Sequence, residues 1–429
     1  MRKQGSHRDA ETAGEIPAGY KQTPLGVIPE DWTTPELRTI LRERKRRNRD
    51  LSFGKDAVLS VSGEKGVTNQ IALLGRSFAG ISVAEYHVVE HGDLVYTKSP
   101  LKANPYGIIK QNKGTAGIVS TLYAVYSCED ITLGAFLDYY FSDDRRLNNY
   151  LRPLVKRGAK NDMKINNDEV LHGIIALPSR PEVRRIVEFL SACDRVIENK
   201  QKLLEAKKRR KRALLQALFD PKDGIRISKF FGPWKSETLR GIGNFEKGHG
   251  ITNSQCLSGD CPCVKYGDIY VCYDTHFSKA QSHTTEPVFR ESLRVEAGSL
   301  LFTCSGEEPL DIGKCVVYMG TEPIAVGGDI LVFHSYKHDP LFLAYQQQTS
   351  PLIRQKASLA KGQSIFHIHL PEIQGLQVCV PPTIEEERAI AQTLLTADRE
   401  IDGLAREIDA WKEKRKALSQ LLLSGKVRV

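Results

Sequence analysis

The sequence predicts an α+β protein in which two mixed α/β domains are each followed by a long helix, with the two long helices packed together. Three observations support this prediction: an internal repeat, a seven-residue apolar pattern within each copy of it, and strand-like alternation between the copies. With 429 residues and 41% hydrophobic side chains, the chain is long enough for two or three separate cores.

The internal repeat is strongest between residues 178–219 and 382–423, which align without a gap at a shift of 204 residues. Fourteen of the 42 aligned pairs are identical, including the aspartates at 194 and 398. This level of identity over a continuous stretch indicates that the same structural segment occurs twice in the chain.

The segments before each copy are variable and rich in strand patterns. Residues 37–150 and 240–350 show no convincing likeness to each other, apart from one short pattern. That pattern is Gly-x-Leu-[LV]-[FY]-Thr, within residues 88–100 and 294–306. Alternating apolar residues bounded by turns predict a mixed α/β domain in each half.

Each repeated segment begins with a helix-start pattern. Ser179-x-x-Glu182 and Thr383-x-x-Glu386 are capping boxes, in which the hydroxyl accepts from a first-turn N–H and the carboxylate reaches back to the cap. About 40 residues at ~1.5 Å each give a helix on the order of 60 Å. No single small core buries such a rod, so the natural partner of each long helix is the other one.

A heptad seam runs along both predicted helices. Its packing residues are Leu190, Ile197, Leu204 and Leu218 in the first copy, and Leu394, Ile401, Leu404, Ile408, Trp411, Leu418 and Leu422 in the second. The fourth a position is basic in both copies, Lys211 and Arg415, and two d positions of the first copy are Lys200 and Lys207. The first seam is therefore narrower and more polar.

Six consecutive basic residues, Lys207 to Arg212, lie on the first of these helices. Three interpretations are open: the solvated face of a paired helix, a phosphate-binding patch, or a localisation or membrane patch. The equivalent residues 411–416 are WKEKRK, diluted by Glu413. Since strict basicity is not required by the helix, we favour the solvated face.

Composition restricts the partners and the compartment. The net charge of +9 favours DNA, RNA or an acidic protein. Nowhere do about 18 apolar residues follow one another, and the N-terminal MRKQGSHRDAETAGE lacks the apolar region of a signal peptide. Nine cysteines, an odd and scattered number, do not suggest a disulfide framework. We therefore expect an intracellular protein with reduced thiols and no membrane association.

Basic residues in three stretches are the candidate phosphate contacts, with a solvated surface as the alternative. The stretches are LRERKRRNRD at 41–50, and two that place cations around a glycine, 148–162 and 351–364. With one lysine after a predicted strand, the candidates are Arg44, Lys45, Arg46, Arg47, Lys98, Arg152, Lys156, Arg157, Lys160, Arg354, Lys356 and Lys361.

Catalytic patterns are weak. No G-x-x-x-x-G-K-[ST] loop is present, and Asn104-Pro105-Tyr106 has neither the second proline of the methyltransferase motif nor an accompanying glycine-rich cofactor loop. Asp162-x-Lys164 has no clear second carboxylate for a nuclease metal. Cysteines between Cys256 and Cys272 lack the usual zinc spacing, so free thiols are favoured and a zinc site stays open. The sequence predicts no catalytic residue and no metal.

Four segments together resemble a specificity subunit of a type I restriction-modification system. They are GYKQTPLGVIPEDW at 19–32, LPSRPEVRRIVEFLSACDRVIE at 177–198, VPPTIEEERAIAQTLLTADREID at 380–402 and LLLSGKVRV at 421–429. The family's helix start commonly has Pro-x-x-Glu-Gln, whereas here Val183 and Glu387 replace the glutamine. This departure leaves the fold intact and could change contacts with partner subunits.

The resemblance implies a domain order and a division of labour. It implies an N-terminal extension (1–20), target-recognition domain 1 (21–176), a first spacer helix (177–220), target-recognition domain 2 (221–379), and a second spacer helix with a tail (380–429). Each domain is then expected to read one half of a bipartite, asymmetric DNA target, while the helices pair as an antiparallel coiled coil that sets the half-site spacing.

The resemblance also implies the partners and the place of work. Two methyltransferase (modification) subunits and the restriction (motor and nuclease) subunits would use S-adenosylmethionine, ATP and Mg²⁺, and this chain would bind no cofactor and catalyse nothing. The complex would methylate host DNA and defend a prokaryotic cytoplasm against foreign DNA, associated with the nucleoid through DNA. The alternatives are a stand-alone or fused methyltransferase or nuclease with an unrecognised active site, and an assembly scaffold without DNA specificity.

Overall fold

The computed structural model describes residues 16–157, 163–164, 166–219, 233–252, 255 and 259–429. The chain divides into two compact units. Unit 1 consists of residues 1–199 and 408–429, and unit 2 consists of residues 200–407. Both long helices are therefore divided between the units.

Unit 1 is a mixed α/β unit whose strands are short. Its strands are β1 Tyr20–Thr23, β2 Gly26–Pro29, β3 Leu41–Glu43, β4 Leu59–Ser62, β5 Gly66–Asn69, β6 His87–Val89, β7 Leu94–Thr97, β8 Ile108–Gln111, β9 Gly117–Val119, β10 Tyr123–Cys128, β11 Lys156–Arg157 and β12 Met163–Lys164. Its helices are α1 Gln70–Leu74, α2 Ile131–Tyr140, α3 Asp144–Leu151 and the first part of α4 Arg180–Leu218. Three-residue to four-residue 3-10 turns lie at Leu37–Thr39, Lys55–Ala57 and Glu169–His172.

Unit 2 repeats this mixture of short strands and helices. Its strands are β13 Lys235–Thr238, β14 Gly243–Lys247, β15 Cys261–Val264, β16 His276–Phe277, β17 Ser282–Thr284, β18 Leu293–Val295, β19 Leu300–Thr303, β20 Ser305–Gly306, β21 Cys315–Tyr318, β22 Ile324–Val326, β23 Ile330–Ser335, β24 Lys361–Gly362, β25 Phe366–His367 and β26 Gln377–Val380. Its helices are α5 Leu239–Ile242, α6 Tyr266–Val271, α7 Glu286–Glu291, α8 Pro340–Gln346, α9 Ser350–Leu359, α10 Leu370–Gln374 and most of α11 Ile384–Leu422.

The central sheets of the two units share the order of four strands, which the sequence alone did not suggest, and unit 2 adds a fifth strand. The central sheet has the order β3-β10-β7-β8 in unit 1 and β14-β23-β19-β21-β16 in unit 2. In both, two helices follow the last strand of the sheet in sequence: α2 and α3 follow β10, and α8 and α9 follow β23. The variable segments therefore differ in sequence while keeping a common scaffold, because alternating apolar residues can fill the same core in many ways.

The core of unit 1 joins the central sheet to α2 and to the ends of the long helices. Phe136 and Leu137 of α2 pack in one buried cluster with Ile186 and Leu190 of α4 and Leu422 of α11. In unit 2 the corresponding cluster contains Phe342 and Leu343 of α8 with Leu218 of α4 and Leu394 of α11. Several seam residues are thus buried against a domain and not only against the other helix.

The long helices begin where their capping patterns predict. α4 begins at Arg180 and α11 at Ile384, each directly after its capping residue, and each helix has 39 residues. Thr383 Oγ1 accepts from the backbone N–H of Glu386 at 3.4 Å, as in a capping box. Glu182 has a different partner set: its carboxylate accepts from Trp32 Nε1 at 3.0 Å and from the guanidinium of Arg428.

The segments of α4 and α11 that belong to unit 2 run in opposite directions. In unit 2, Lys200 pairs with Glu407 at 2.7 Å, Lys207 with Glu400 at 2.7 Å and Lys211 with Asp398 at 2.6 Å, so rising numbers on α4 meet falling numbers on α11. In unit 1, Asp194 of α4 pairs with Arg415 of α11 at 2.9 Å. The lysines that replace apolar d residues in the first copy are therefore used in pairs with glutamates of the other helix.

The C-terminal tail closes on the N-terminal hairpin in unit 1. Arg428 binds Asp31 and the buried carboxylate of Glu182, which is 1% exposed. Tyr20 Oη donates to the carbonyl of Gly425, whose φ is +70° and where a Cβ would lie 2.4 Å from Pro29 Cγ. Only glycine fits this close approach, which explains the glycine of the LLLSGKVRV ending.

Val183 and Glu387, the two departures from the family's helix start, lie inside their own units. Val183 is 1% exposed and belongs to the core of unit 1. Glu387 is buried, with Oε1 2.6 Å from His338 Nδ1 and Oε2 accepting from the backbone N–H of Asp339 at 2.7 Å. Both residues therefore take part in packing inside their units, and the effect on partner contacts that the sequence suggested stays a prediction.

Candidate nucleic-acid interface

The basic stretch 41–50 is an extended segment fixed along one side of unit 1. Its backbone follows β6, since the N–H of Val88 donates to Arg46 O at 3.0 Å and Arg47 forms a bridge with His87. Asn48 is fully buried, and its side chain binds the backbone of Phe53 in both directions. With the backbone fixed in this way, the side chains of Lys45, Arg46 and Arg49 are exposed.

Ion pairs divide the arginines and lysines of this stretch into two groups. Arg44 is committed to the buried carboxylate of Asp93, with Nε 2.8 Å from Oδ2, and burial raises the pKa of Asp93. Lys45 and Arg49 are 81% and 75% exposed, and their ion-pair distances are 3.7 and 3.3 Å. Arg46 pairs with Glu90 at 3.2 Å and is half exposed. Exposed pairs are weak and are easily exchanged for phosphate contacts.

Arg47 and Lys98 are intermediate cases. Arg47 donates from Nη1 to the carbonyl of Glu85 at 2.6 Å, and about a third of its side chain is exposed. Lys98 follows β7 and is half-buried, and burial lowers its pKa. Both cations are held closer to the protein than Lys45.

A loop beside this stretch carries an arginine and two exposed apolar residues. The Arg76 guanidinium lies 4.6 Å from the centre of the Phe78 ring, Phe78 is 56% exposed and Ile81 is 99% exposed. The loop adjoins residues 41–50, because Asn48 Nδ2 donates to Val83 O at 3.3 Å. Sequence reasoning missed Arg76, Phe78 and Ile81, since GRSFAGIS at 75–82 has no periodicity and isolated exposed apolar residues give no pattern. Arg49 lies within the predicted stretch 41–50 but was not among its candidate residues.

The stretch 148–162 is only partly described. Arg152 is exposed directly after α3. Lys156 and Arg157 form β11, which pairs with β12. Lys160 lies outside the described residues, as does Asp162 of the weak nuclease pattern. The phosphate contacts predicted for this stretch stay predictions.

Lys361 occupies the position in unit 2 that Arg157 occupies in unit 1. Lys361 lies in β24, which pairs with β25, and its Nζ is 2.7 Å from Glu372 while 68% of the side chain is exposed. Arg354 is exposed on α9. These two residues remain available for phosphate.

Lys356 is removed from the candidate interface by its burial. It is 4% exposed, and its ammonium donates to the carbonyls of Gly313 at 2.9 Å and Gln347 at 3.2 Å. Burial lowers its pKa to about 8. The lysine therefore crosslinks two backbone segments of unit 2, and a periodic helical sequence such as SPLIRQKASL does not distinguish this role from an exposed one.

The basic run Lys207 to Arg212 contains both exposed and buried side chains. Arg209, Arg210 and Arg212 are exposed, as the solvated-face interpretation expects. Lys211 is buried, with Nζ 2.6 Å from Asp398 Oδ1 and 2.8 Å from Asp274 Oδ2. Burial alone would lower the pKa of Lys211, but these two carboxylates raise it above its usual value. For Lys211 the solvated-face interpretation is wrong, because an acidic pair inside unit 2 requires its charge.

The weak catalytic and metal patterns have structural explanations where they are described. Asn104 is buried and donates to Asp144 Oδ1 at 2.8 Å, so its amide is used in a contact with α3. Cys261 Sγ donates to Glu286 Oε2 at 2.9 Å, which raises the pKa of the Cys261 thiol. Across the described residues no three His, Cys, Asp or Glu side chains form a metal cluster. Cys256 lies outside them.

Within the same described ranges, no helix is both long and apolar enough to span a bilayer.

The known proteins that this chain resembles are specificity subunits of type I restriction-modification systems. No protein-family model matches the chain. In an alignment 441 positions long it is 21% identical to the putative type I restriction enzyme MjaX specificity subunit of Methanocaldococcus jannaschii, covering 96% of this chain and 97% of that protein. It is 23% identical to the type I restriction enzyme MjaVIII specificity subunit of the same organism, covering 59% of this chain and 62% of that one.

Two solved structures share the fold. The type I restriction-modification S subunit from M. genitalium matches with a TM-score of 0.55 and 13% identity, covering 91% of this chain and 96% of that one. A chain from a structure describing assembly and conformational transition of a type I system matches with a TM-score of 0.52 and 17% identity, covering 93% and 99%. The resemblance to type I specificity subunits that the sequence predicts is confirmed.

Proposed function

We propose that this chain is the DNA-specificity subunit of a type I restriction-modification system, on the premise of its similarity to such a subunit over 96% of its length. That similarity is the observation that carries the proposal, because it includes both variable segments and both long helices. Specificity subunits are non-catalytic, and this chain directs methylation and cleavage that other subunits perform.

Each half of the chain reads one half-site of a bipartite target. Target-recognition domains 1 (21–176) and 2 (221–379) share the order of four central strands but have dissimilar side chains, as expected for two readers of different half-sites. Phosphate contacts orient a domain on the duplex, whereas side chains at the base edges distinguish sequences. A common scaffold with divergent loops separates these two tasks.

In domain 1 the DNA-facing surface comprises the stretch 41–50 and the adjoining loop 75–82. Lys45, Arg46 and Arg49 supply exposed cations for phosphates, and Arg76 stands beside the exposed ring of Phe78. Apolar side chains at such a basic surface are used by DNA-binding proteins to contact thymine methyls or to enter between base steps. Arg152, Arg354 and Lys361 are proposed to contact phosphates near the ends of α3, in α9 and in β24.

The long helices form the spacer between the half-sites. Each has 39 residues, about 58 Å at ~1.5 Å per residue. Half-sites one DNA turn apart are separated by about 34 Å, so an antiparallel helix pair of this length is sufficient to hold two domains at such a distance. The seam residues predicted from the sequence, with the ion pairs of Lys200 and Lys207, keep the two helices in register.

The partners supply the chemistry. Two modification subunits dock on this chain and transfer methyl groups from S-adenosylmethionine, and restriction subunits add ATP-driven, Mg²⁺-dependent translocation and cleavage. This chain itself binds no cofactor. Because its ligand is the host chromosome, we place it in the cytoplasm of a prokaryote, associated with the nucleoid.

A domain exchange tests the proposal. Residues 37–176 are replaced by the equivalent segment of a related specificity subunit, and the methylated sequences of the host are determined before and after the exchange. One half-site should change while the other half-site stays the same. A change of both half-sites would contradict the assignment of one domain to each.

An enzymatic alternative is tested separately with the purified chain alone, incubated with DNA, Mg²⁺ and S-adenosylmethionine. No cleavage and no methyl transfer are expected. Activity without partners would favour a methyltransferase or nuclease with an unrecognised site.

A further inference from the structure

One tyrosine, one aspartate and one basic residue make the same set of contacts in each unit. In unit 1, Tyr139 Oη of α2 donates to Asp194 Oδ2 of α4 at 2.7 Å. Arg415 of α11 donates from Nε to Asp194 Oδ1 at 2.9 Å, and its guanidinium lies 5.2 Å from the centre of the Tyr139 ring. The three residues come from three different helices.

Unit 2 repeats the arrangement with the long helices exchanged. Tyr345 Oη of α8 donates to Asp398 Oδ2 of α11 at 2.6 Å. Lys211 of α4 lies with Nζ 2.6 Å from Asp398 Oδ1 and 5.8 Å from the centre of the Tyr345 ring. We call each of these triads a latch: Tyr139, Asp194 and Arg415 form the unit 1 latch, and Tyr345, Asp398 and Lys211 form the unit 2 latch.

The latch residues are equivalent in sequence as well as in space. Asp194 and Asp398 are identical at the shift of 204, and Lys211 and Arg415 are the basic residues at the fourth a position of each seam. The tyrosines lie in Phe-Leu-Asp-Tyr at 136–139 and Phe-Leu-Ala-Tyr at 342–345, at a shift of 206. A position where the heptad pattern calls for an apolar residue is therefore basic in both copies, and both times it meets the same two partners.

The surroundings explain why polar contacts are used here. The unit 1 latch borders a cavity of about 470 Å³ lined also by Lys110, Lys113 and Lys412, and the unit 2 latch borders one of about 790 Å³. Apolar packing is thus interrupted on one side of each latch. Buried ion pairs are weak sources of stability but restrict geometry, because their bonds tolerate little displacement.

We propose that the two latches are positioning elements that fix the angle of each target-recognition domain on the long helices, and that they thereby determine which half-site spacing the protein accepts. This inference rests on the proposed function. The latch touches no base, and acts only through the placement of the domain that does.

The two latches are not equally strong. Asp398 and Lys211 are about 10% exposed, whereas Asp194 and Arg415 are 40% and 23% exposed. In addition, Lys211 binds Asp274, and His276 Nδ1 lies 3.9 Å from Asp398. Changes in the unit 2 latch are therefore expected to have the larger effect.

The test uses Tyr345→Phe and Tyr139→Phe, each of which removes one hydroxyl and leaves the ring. The host gene is replaced by each variant, and cells receive plasmids that carry the two half-sites at the natural spacing or at one base pair more or less. Methylation of each plasmid is quantified by sequencing. We expect the preference for the natural spacing to fall by roughly tenfold in Tyr345→Phe, less in Tyr139→Phe, and most in the double variant.

Matched variants separate positioning from stability. Tyr126→Phe removes a comparable hydroxyl bond in unit 1, 2.8 Å to Asn167 O, away from the long helices. It should leave the spacing preference unchanged at equal protein level. Lys211→Arg places in unit 2 the residue that unit 1 already uses and should retain the preference, whereas Lys211→Met should lose it.

The outcomes separate the latch from the proposed function. If the wild type methylates one spacing and the latch variants are as selective as the wild type, with methylation changed only in proportion to protein level, the latch proposal is refuted and the function stands. If the wild type directs no bipartite methylation, the proposed function is refuted, and the latch proposal, which rests on it, is refuted as well. Methylation at neighbouring spacings by the latch variants, and not by Tyr126→Phe, supports the proposal.

Discussion

Shortening both long helices by one matched heptad should shorten the DNA spacing that the complex accepts. The ion pairs of unit 2 define the match: Lys200 meets Glu407, and Lys207 meets Glu400. Deleting residues 201–207 from α4 and 400–406 from α11 therefore removes facing segments. The Lys200 to Glu407 pair and the Lys211 to Asp398 pair are both retained.

The size of the change follows from helix geometry. Seven residues at ~1.5 Å remove about 10.5 Å, and they turn each helix by only ~20° relative to its seam. With base pairs about 3.4 Å apart along the duplex, three base pairs are the upper limit of the change. A helix pair inclined to the DNA axis projects a shorter distance, so a loss of two or three base pairs is expected.

Sequencing of methylated sites in a host that carries the paired deletion measures this spacing directly. Both half-site sequences should stay the same while the gap between them shrinks. Deleting 201–207 alone is the control, because it forces either Lys200 or Lys211 away from its partner, and it should reduce assembly of the complex. Full activity of the paired deletion at the original spacing would refute the spacer role.

Two further predictions concern stability. Arg428→Ala leaves the buried carboxylate of Glu182 with Trp32 as its remaining partner. After discounting for the partly exposed arginine, we expect the free energy of unfolding of unit 1 to fall by about 2 kcal/mol, which lowers its Tm in calorimetry by about 4–8 °C. Lys426→Ala changes an exposed neighbour and should have little effect, and equal effects of the two substitutions would contradict this account. Burial lowers the pKa of Lys356 to about 8, so above that pH the unfolded chain binds more protons than the folded one. The free energy of unfolding of the wild type relative to Lys356→Met should therefore rise between about pH 8 and 10 in denaturant titrations. A difference that stays constant with pH would show that burial does not lower the pKa of Lys356.

Local patterns in the sequence predict the parts of the fold that depend on local physics. The helix starts follow from Ser179 and Thr383, because capping is decided within one turn of the chain. A seam that repeats every seven residues predicts that the two long helices pair, and the coiled coil itself stays a prediction. Strand alternation indicates two β-rich domains, but not that their sheets share one strand order.

Residues whose roles depend on distant partners could not be assigned in this way. Lys356 was predicted at the surface, and its burial depends on carbonyls at Gly313 and Gln347. Tyr139 and Tyr345 escaped notice because their shift of 206 differs by two residues from the shift of the helices. A search that allowed one short gap would have aligned Phe-Leu-x-Tyr in both halves and pointed to the latches.

The sequence indicates the basic stretch 41–50 of domain 1, but not which of its cations are exposed, because this too depends on distant partners. The cations of 41–50 stand out by composition, but Arg44 is bound to Asp93 while Arg49, which was not among the candidates, is exposed. Charge in a sequence does not show which cations are already paired. The neighbouring loop with Phe78 and Ile81 becomes a candidate only when its exposure is known.

Sequencing the methylated bases of the host genome, with and without this gene, tests the central claim most directly. The account predicts one bipartite, asymmetric motif with a fixed gap that is methylated only when the gene is present. An undivided motif, or methylation that does not depend on the gene, would contradict it.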